Sequence, residues 1–254
     1  MTDPRFLLLL LSLPFLGSIL AAMLPTRGRN LAATLASLTM ASGLVIVIGT
    51  YPLVGDGGAL VLPFSWMPTF GMDLVLRLDG LSWFFSVLVL GIGLLIVLYA
   101  RYYMSAEDPV PRFFSFLLAF TGSMLGVVLS GNLIQLAFFF EMTSLFSFLL
   151  IGYWHHNESA RDGARMSLIV TASGGVALLL GFLLIGRIAA TYDLVRLWQM
   201  RDVIQEHPLY PAALTLVLAG AFTKSAQVPF HFWLPQAMAA PTPVSAYLHS
   251  ATLV

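Results

Sequence analysis

The sequence of 254 residues contains no cysteine and few charged residues. Without cysteine, disulfides, thiolate metal sites and cysteine nucleophiles are excluded. Charged residues make up 9% of the chain, against about 25% in an average soluble domain, and the net charge is zero. A nucleic-acid binder needs a basic surplus, so that class is excluded as well. With 59% hydrophobic residues, the composition indicates an integral membrane protein.

Eight apolar segments are candidate membrane-spanning helices, because a helix needs about 20 residues to cross a bilayer. They cover approximately residues 5–24, 30–51, 80–103, 112–130, 132–153, 165–188, 209–228 and 243–254. We read the first segment as a retained span and not as a cleaved signal peptide. The eighth holds too few residues to cross a core of about 30 Å. The sequence therefore predicts an all-α polytopic membrane protein. We also expect it to be a fragment, a split subunit or the ordered part of a longer chain.

Two connections between these segments are not expected to span the membrane. Residues 52–79 combine Gly, Pro and Asp with short apolar runs, which predicts an extracytoplasmic β-hairpin or an irregular cap. Residues 192–207 alternate charged with apolar side chains, which predicts a short helix lying at the membrane interface. The arginine count of the loops favours, by six to five, an N-terminus on the outside.

Small residues recur along the sixth predicted span. Ser173, Ala177 and Gly181 follow one another at four-residue spacing, and the span carries no carboxylate. This pattern predicts a face on which another helix packs closely.

Two charged residues fall inside predicted spans, whereas the others lie in loops or near helix ends. Lys224 is the only lysine of the chain, and Glu141 follows Asn132 by nine residues, about 13–14 Å along its helix. A charge at the bilayer centre costs about 2.5–3.5 kcal/mol or more, and such residues are usually functional. Ser144 lies one turn after Glu141 and shares its helix face. A proton relay between the two charges is one interpretation, and a buried ion pair that only locks two helices is the other.

Two prolines follow Lys224 in the stretch KSAQVPFHFWLP. Pro229 cannot donate a hydrogen bond to the carbonyl of Ser225, and Pro235 leaves the carbonyl of His231 free in the same way. We therefore expect a broken helix beside the lysine, where irregular backbone lines a water-filled cavity. The polar neighbours Thr223 and Ser225 are candidates for its wall.

Histidines are further candidates for the relay, because an imidazole titrates near neutral pH. His231 follows the predicted break, and His249 lies in the last segment with Ser245 one turn before it. Either histidine could instead be an ordinary core residue. His155 and His156 are interpreted as solvated loop residues, and no group of residues has metal-ligand spacing.

The stretch GAFTKSAQVPFHFWLPQAMAAPTPVSAYLHSATLV resembles the signature of the proton-pumping antiporter-like subunits of respiratory complex I and of Mrp-type cation/proton antiporters. The stretch FFFEMTSLFSFLLIGYW is similar to the same family. The residues of both stretches favour the Mrp type and, within it, the large A subunit. The segments DGLSWFF and YARYYM fit the family more loosely.

This resemblance implies roles for four residues. Lys224 matches the lysine at the break of the seventh helix, which exchanges protons, and Glu141 matches the glutamate of the fifth helix, which controls that exchange. His249 matches the polar relay residue of the eighth helix, and His231 the histidine just past the break. Gln236 departs from the family, in which relatives often carry an acidic residue.

The resemblance also implies a multisubunit complex in a bacterial cell membrane, which exports Na⁺ in exchange for H⁺ and holds no redox cofactor. Residues 1–111 are expected to form the first three helices with the loop 52–79, and residues 112–254 the first antiporter repeat. The resemblance also implies a second, inverted repeat, which we do not expect within these 254 residues. A proton pump of the complex I type and a non-transporting scaffold remain alternatives, whereas an enzyme is not indicated because no nucleophile–base pair or metal motif is present.

Overall fold

The computed structural model describes residues 4–26, 28–67, 72–105 and 107–251, with all of their side chains except those of 65–67, 72 and 249–251. The described part is mostly helical and contains one two-stranded sheet. The long and medium helices are α1 (Phe6–Ala22), α2 (Arg29–Gly49), α4 (Gly80–Tyr103), α5 (Val110–Val128), α6 (Leu133–Ile151), α7 (Glu158–Ala189), α10 (Tyr210–Lys224) and α12 (Thr242–Ala251). The short helices are α3 (Tyr51–Val54), α8 (Leu194–Gln199), α9 (Arg201–Glu206) and α11 (Trp233–Ala237).

Five of the described helices are long and apolar enough to cross a membrane, namely α2, α4, α5, α6 and α7. Helix α1 is also apolar but has 17 residues. Helix α10 coincides with the seventh predicted span and has 15 residues, and α12 lies in the eighth, where the structure describes 10 helical residues. The chain is thus a polytopic helical membrane protein, while the count of eight spans stays a prediction.

Helix α5 lies at the centre of the bundle and packs against α1, α2, α4 and α6. Its aromatic and aliphatic side chains Phe113, Phe114, Leu117 and Phe120 are fully buried. Gly122 allows the ring of Phe15 on α1 to approach, because a Cβ there would lie 2.9 Å from that ring. The core of the molecule is therefore built around a helix that has little contact with the surroundings.

The predicted hairpin is confirmed: β1 (Leu60–Met67) pairs antiparallel with β2 (Met72–Leu78). Strand β2 also hydrogen-bonds to the connection between α5 and α6, where Gly131 N–H donates to Val75 O at 2.7 Å and Arg77 N–H to Leu129 O at 2.9 Å. Leu194 N–H then donates to Gly131 O at 3.0 Å, which joins the start of α8 to the same network. These backbone bonds form a cap on one end of the bundle, called here the hairpin side.

Asp79 links the hairpin to α4. Its carboxylate accepts a hydrogen bond from Ser82 N–H at 3.0 Å, and its own N–H donates to Ser82 Oγ at 2.6 Å, a reciprocal capping box. Arg77 Nε donates to the same carboxylate at 3.0 Å. Partial burial raises the pKa of Asp79, but the bonds from Ser82 and Arg77 outweigh it and hold that pKa below its ordinary value.

The predicted interfacial helix over 192–207 is two helices, α8 and α9, which meet at Met200. Asp193 caps α8 by accepting from the N–H groups of Val195 and Arg196, both at 3.0 Å. Trp198 is exposed, whereas Leu197 and Ile204 face the bundle. The segment keeps the expected amphipathic character in two short pieces.

Helix α10 ends at Lys224, four residues before the predicted end of its span. The residue before a proline avoids the helical conformation and Pro229 cannot continue the hydrogen-bond ladder, so the chain leaves the helix ahead of it. Ala226 adopts a positive φ of 50°, and a 3₁₀ turn (Phe230–Phe232) leads into α11. The predicted break beside the lysine is present and begins at the lysine itself.

After the break the chain continues towards the end of the bundle opposite the hairpin. Helix α11 packs against the first turns of α7, where a Cβ at Gly163 would overlap the carbonyl oxygen of Gln236. Thr242 Oγ1 then bonds Tyr103 Oη at 3.1 Å at the end of α4. Helix α12 runs back into the bundle from that point, so α10, the break and α11 together cross most of its height.

Candidate functional site

Lys224, the last residue of α10, inserts its side chain against α6. Its Nζ donates hydrogen bonds to Thr143 Oγ1 at 2.7 Å and to Ser144 Oγ at 3.0 Å. The ammonium also lies 4.9 Å from the centroid of the Phe140 ring, within cation–π range. Phe140, Thr143 and Ser144 share one face of α6, since they are three and four residues apart. The side chain is therefore held by one face of one helix.

The two hydroxyls are oriented by their own helix. Thr143 Oγ1 donates to Phe140 O at 2.7 Å, and Ser144 Oγ lies 3.5 Å from the same carbonyl oxygen. Because each hydroxyl has one hydrogen and it points back to the helix, the lone pairs face Lys224. Both residues are 1% exposed. They form a buried acceptor pair around the ammonium.

Glu141 lies next to this group without forming an ion pair. No carboxylate oxygen of Glu141 lies within 4.0 Å of Lys224 Nζ, although the two charges interact electrostatically. Its Oε1 is buried and has no hydrogen-bond partner. The buried ion pair, one of the two interpretations of these charges, is thus absent in this conformation, because the hydroxyls of Thr143 and Ser144 bind the ammonium instead.

Two glycines of helix α7 provide space for the side chains of Glu141 and Thr223. A Cβ at Gly175 would overlap Glu141 Oε1, and a Cβ at Gly174 would overlap Thr223 Oγ1. Gly220 of α10 also approaches α7, where its Cβ would lie 2.7 Å from Gly174 O. Adjacent glycines therefore let α6 and α10 approach α7 side by side.

The prediction of a small-residue packing face on α7 was partly wrong. It comprised Ser173, Ala177 and Gly181, and of these Gly181 does approach α10, where a Cβ would lie 2.7 Å from Val217 Cγ2. Ser173 is exposed instead. The contact runs along the neighbouring face through Gly174, because Ser173 points away from α6 and α10.

The end of α10 is held by α11. Trp233 Nε1 donates to Thr223 O at 2.9 Å, and Thr223 Oγ1 donates to Gly220 O at 2.7 Å within the helix. Trp233 is 7% exposed and Thr223 3%. This indole fixes one of the carbonyls that the helix end leaves without an intrahelical partner.

None of the other predicted site residues whose side chains the structure describes accepts a hydrogen bond from Lys224. His231 is exposed on the 3₁₀ turn, and Pro229 and Pro235 are exposed before and after it. Ser225 is half-buried and donates back to Ala221 O at 2.9 Å.

On α12, Ser245 is half-buried, and the side chain of His249 lies outside the described residues. Among the described residues, no cluster of His, Asp and Glu could hold a metal ion.

Thr143 and Phe140 were not singled out from the sequence. The signal was available, because residues 140, 143 and 144 have the spacing of one helix face. The pattern of charge drew attention to Glu141, which occupies a neighbouring face directed at α7. Neutral hydroxyls in a transmembrane segment are common, so only the position of Lys224 reveals their use.

Comparison with known proteins places this arrangement in a family. The family described as "NADH:quinone oxidoreductase/Mrp antiporter, TM" matches residues 130–254, which include the whole site. The family described as "NADH-Ubiquinone oxidoreductase (complex I), chain 5 N-terminus" matches residues 65–114.

Two curated relatives are similar over nearly the whole chain. The probable A/B-type subunit of a K(+)/H(+) antiporter from Rhizobium meliloti (strain 1021) is 55% identical over 98% of this chain and 25% of its own length. The A-type subunit of the Na(+)/H(+) antiporter from Alkalihalophilus pseudofirmus is 44% identical over 95% of this chain and 30% of its own length. The chain thus spans about a quarter to a third of these relatives.

Solved structures share the fold. A chain in the Mrp complex from Dietzia sp. DQ12-45-1b superposes with a TM-score of 0.83 at 31% identity, over 96% of this chain and 26% of that one. A chain of the archaeal membrane-bound sulfane sulfur reductase superposes with a TM-score of 0.81 at 19% identity, over 95% and 49%, which shows the fold alone. This chain belongs to the family of membrane subunits common to NADH:quinone oxidoreductases and Mrp antiporters, and within it to the A-type antiporter subunits.

Proposed function

We propose that this chain is the proton-translocating part of a multisubunit cation/proton antiporter in a bacterial cell membrane, with its N-terminus outside. Relatives named for Na(+)/H(+) and K(+)/H(+) antiporters support the exchange of a monovalent cation for a proton. Its partners are other membrane subunits, and lipid surrounds the apolar helix faces. The arrangement has eight spans, with α10, the break and α11 as the seventh, and an antiporter repeat that begins at residue 112.

The observation that carries this proposal is the ammonium of Lys224 at the end of a broken helix, held by neutral hydroxyls beside an unpaired carboxylate. The lysine takes up and releases a proton as its side chain moves between Thr143 and Ser144 on one side and Glu141 on the other. Glu141 controls this exchange through its charge, because an opposite charge nearby favours the protonated amine. His231 and then His249 pass protons on from the break.

A complex I-type proton pump is the second candidate, and it is favoured by the family descriptions that match both halves of the chain. In that case redox chemistry in partner subunits would drive the same relay. The genes beside this one distinguish the two, because an antiporter requires small membrane subunits whereas a pump requires quinone-reductase subunits.

A scaffold that uses Glu141 and Lys224 only to lock helices is the third candidate. A lock requires a close ion pair, whereas no carboxylate oxygen of Glu141 lies within 4.0 Å of Lys224 Nζ. Removing either member of such a buried pair would lower the free energy of unfolding, and transport would fall only as a consequence. The open pair therefore supports a relay over a lock.

Substitution of Lys224 tests the proposal. We expect Lys224→Ala to abolish cation/proton antiport in membrane vesicles while the complex still assembles, because the chain has no other lysine to take its place. Arg187→Ala, which removes an exposed cation from the last turn of α7, is the control and should leave antiport near the wild-type rate. Unchanged antiport in the Lys224→Ala complex would exclude the lysine from the proton path.

A further inference from the structure

The surroundings of Lys224 are suited to cations in general and not only to an ammonium. Thr143 and Ser144 turn their hydroxyl hydrogens to Phe140 O, at 2.7 and 3.5 Å, so the pair presents only lone pairs to the site. Oxygen lone pairs at 2.7 and 3.0 Å from a positive centre are also what an alkali cation requires. The side chains that face the ammonium therefore offer acceptors and no donor.

Two further features favour a positive charge at this place. Helix α10 ends at Lys224, and the C-terminal end of a helix carries a partial negative charge. Ends of discontinuous membrane helices coordinate Na⁺ and H⁺ in other transporters for this reason. Glu141 adds a carboxyl group on the neighbouring face of α6, and its buried Oε1, which lies against Gly175, has no hydrogen-bond partner. A cation at the two hydroxyls would give that side chain a partner if it turned away from α7.

We infer that Thr143 Oγ1 and Ser144 Oγ, together with the Glu141 carboxylate, form a binding site for a dehydrated monovalent alkali cation that competes with the protonated side chain of Lys224. The inference rests on the proposed function and specifies where the exchanged cation binds. When the Lys224 ammonium gives up one proton, its amine leaves the hydroxyls and one alkali cation takes its place. One positive charge leaves the buried site and one enters, so the exchange proceeds without burying additional charge.

Competition of this kind depends on pH, and few other titratable groups face the lysine. Helix α6 contributes one titratable group, Glu141. Helix α7 contributes no titratable group there, because its charged residues lie in its first turns and its last turn. From the turn after the break the group is His231, which is exposed. On α12, Tyr247 is bonded to Thr121 and Val89, and the side chain of His249 lies outside the described residues. Lys224 and Glu141 are therefore the pair that sets the pH dependence in the described part of the site.

The test is equilibrium binding of ²²Na⁺ to the purified, assembled complex across a range of pH. While Lys224 is protonated, we expect the apparent Kd for Na⁺ to fall about tenfold for each unit of rising pH, as for release of one proton per cation bound. Lys224→Met removes the competing ammonium, so its complex should bind Na⁺ tightly with little dependence on pH. Thr143→Val with Ser144→Ala should weaken binding at least about tenfold at every pH, since two oxygen ligands are lost.

Thr215→Val is the matched control, because Thr215 also returns its hydroxyl hydrogen to its own helix, at Pro211 O, and does not contact Lys224. Na⁺ affinity should be unchanged in that variant. Binding that is unaffected by the Thr143 and Ser144 substitutions, or that keeps its pH dependence in Lys224→Met, would overturn the inference. Because this is a binding measurement, its failure is separate from a failure of the antiport test on Lys224→Ala.

Discussion

Lys224 donates hydrogen bonds to two hydroxyls of α6 and forms no ion pair with Glu141. Its solitary position in an apolar run predicted a functional amine, and the prolines after it predicted the break in the helix. Its present ligands, Thr143 and Ser144, depend on the rotation of α6 about its axis, to within a fraction of a turn. Hydropathy cannot specify that rotation, because neutral hydroxyls and the neighbouring apolar residues are all compatible with a membrane span.

Gly175 controls the position of Glu141, although the sequence drew no attention to it. We expect Gly175→Ala to displace the carboxylate, because the new methyl group would overlap Oε1. The obstructed atom is the end of a flexible side chain, so the fold should tolerate the change while antiport falls about tenfold or more. Antiport in vesicles and the Tm of the purified complex are the two measurements.

Gly91→Ala in α4 is the control for that substitution, because a Cβ there has no neighbour within 4 Å. Both variants gain the same helix propensity, so a difference between them reports the contact with Glu141. Full antiport in Gly175→Ala would show that the position of the carboxylate does not matter.

The helices were predictable to different degrees. Long apolar runs located α2, α4, α5, α6 and α7, because the need to satisfy every backbone hydrogen bond in a bilayer leaves a helix as the solution. The hairpin followed from the turn residues around short β-branched and aromatic runs. The end of α10 at Lys224 and the division of α8 from α9 were not predicted, because they depend on local caps such as the Trp233 indole bonding to Thr223 O.

Helix α12 is attached to the bundle by the hydroxyl of Tyr247, which is fully buried. It donates to Val89 O at 3.1 Å on α4 and lies 2.9 Å from Thr121 Oγ1 on α5. A typical hydrogen bond contributes about 0.5–1.5 kcal/mol. We expect Tyr247→Phe to lower the free energy of unfolding by about 1–2 kcal/mol, measured as a lower Tm of the purified complex.

Tyr102→Phe is the control for this element, since Tyr102 is 81% exposed at the end of α4. It should leave the Tm unchanged. Because α12 also carries His249, we expect Tyr247→Phe to slow antiport as well. An unchanged Tm would mean that apolar packing alone attaches α12.

At the scale of the whole molecule, the bundle combines a rigid core with one discontinuous crossing. Helix α5 is buried by its neighbours, whereas α10, the break and α11 form a path that side chains of α7 and α6 support. Family membership was predictable from the segment around Lys224, because its sequence is dictated by the break and its charge. The arrangement of α6, α7 and α10 around paired glycines was not, because it results from contacts between residues far apart in the chain.

We propose that Glu141 and Lys224 move protons and do not merely hold helices together. The most direct test is cation/proton antiport in vesicles that carry Glu141→Gln and Lys224→Met together. This double substitution removes both charges from the membrane interior, and so avoids the cost of leaving one charge buried alone. We predict an assembled complex without antiport, whereas antiport near the wild-type rate would contradict the claim.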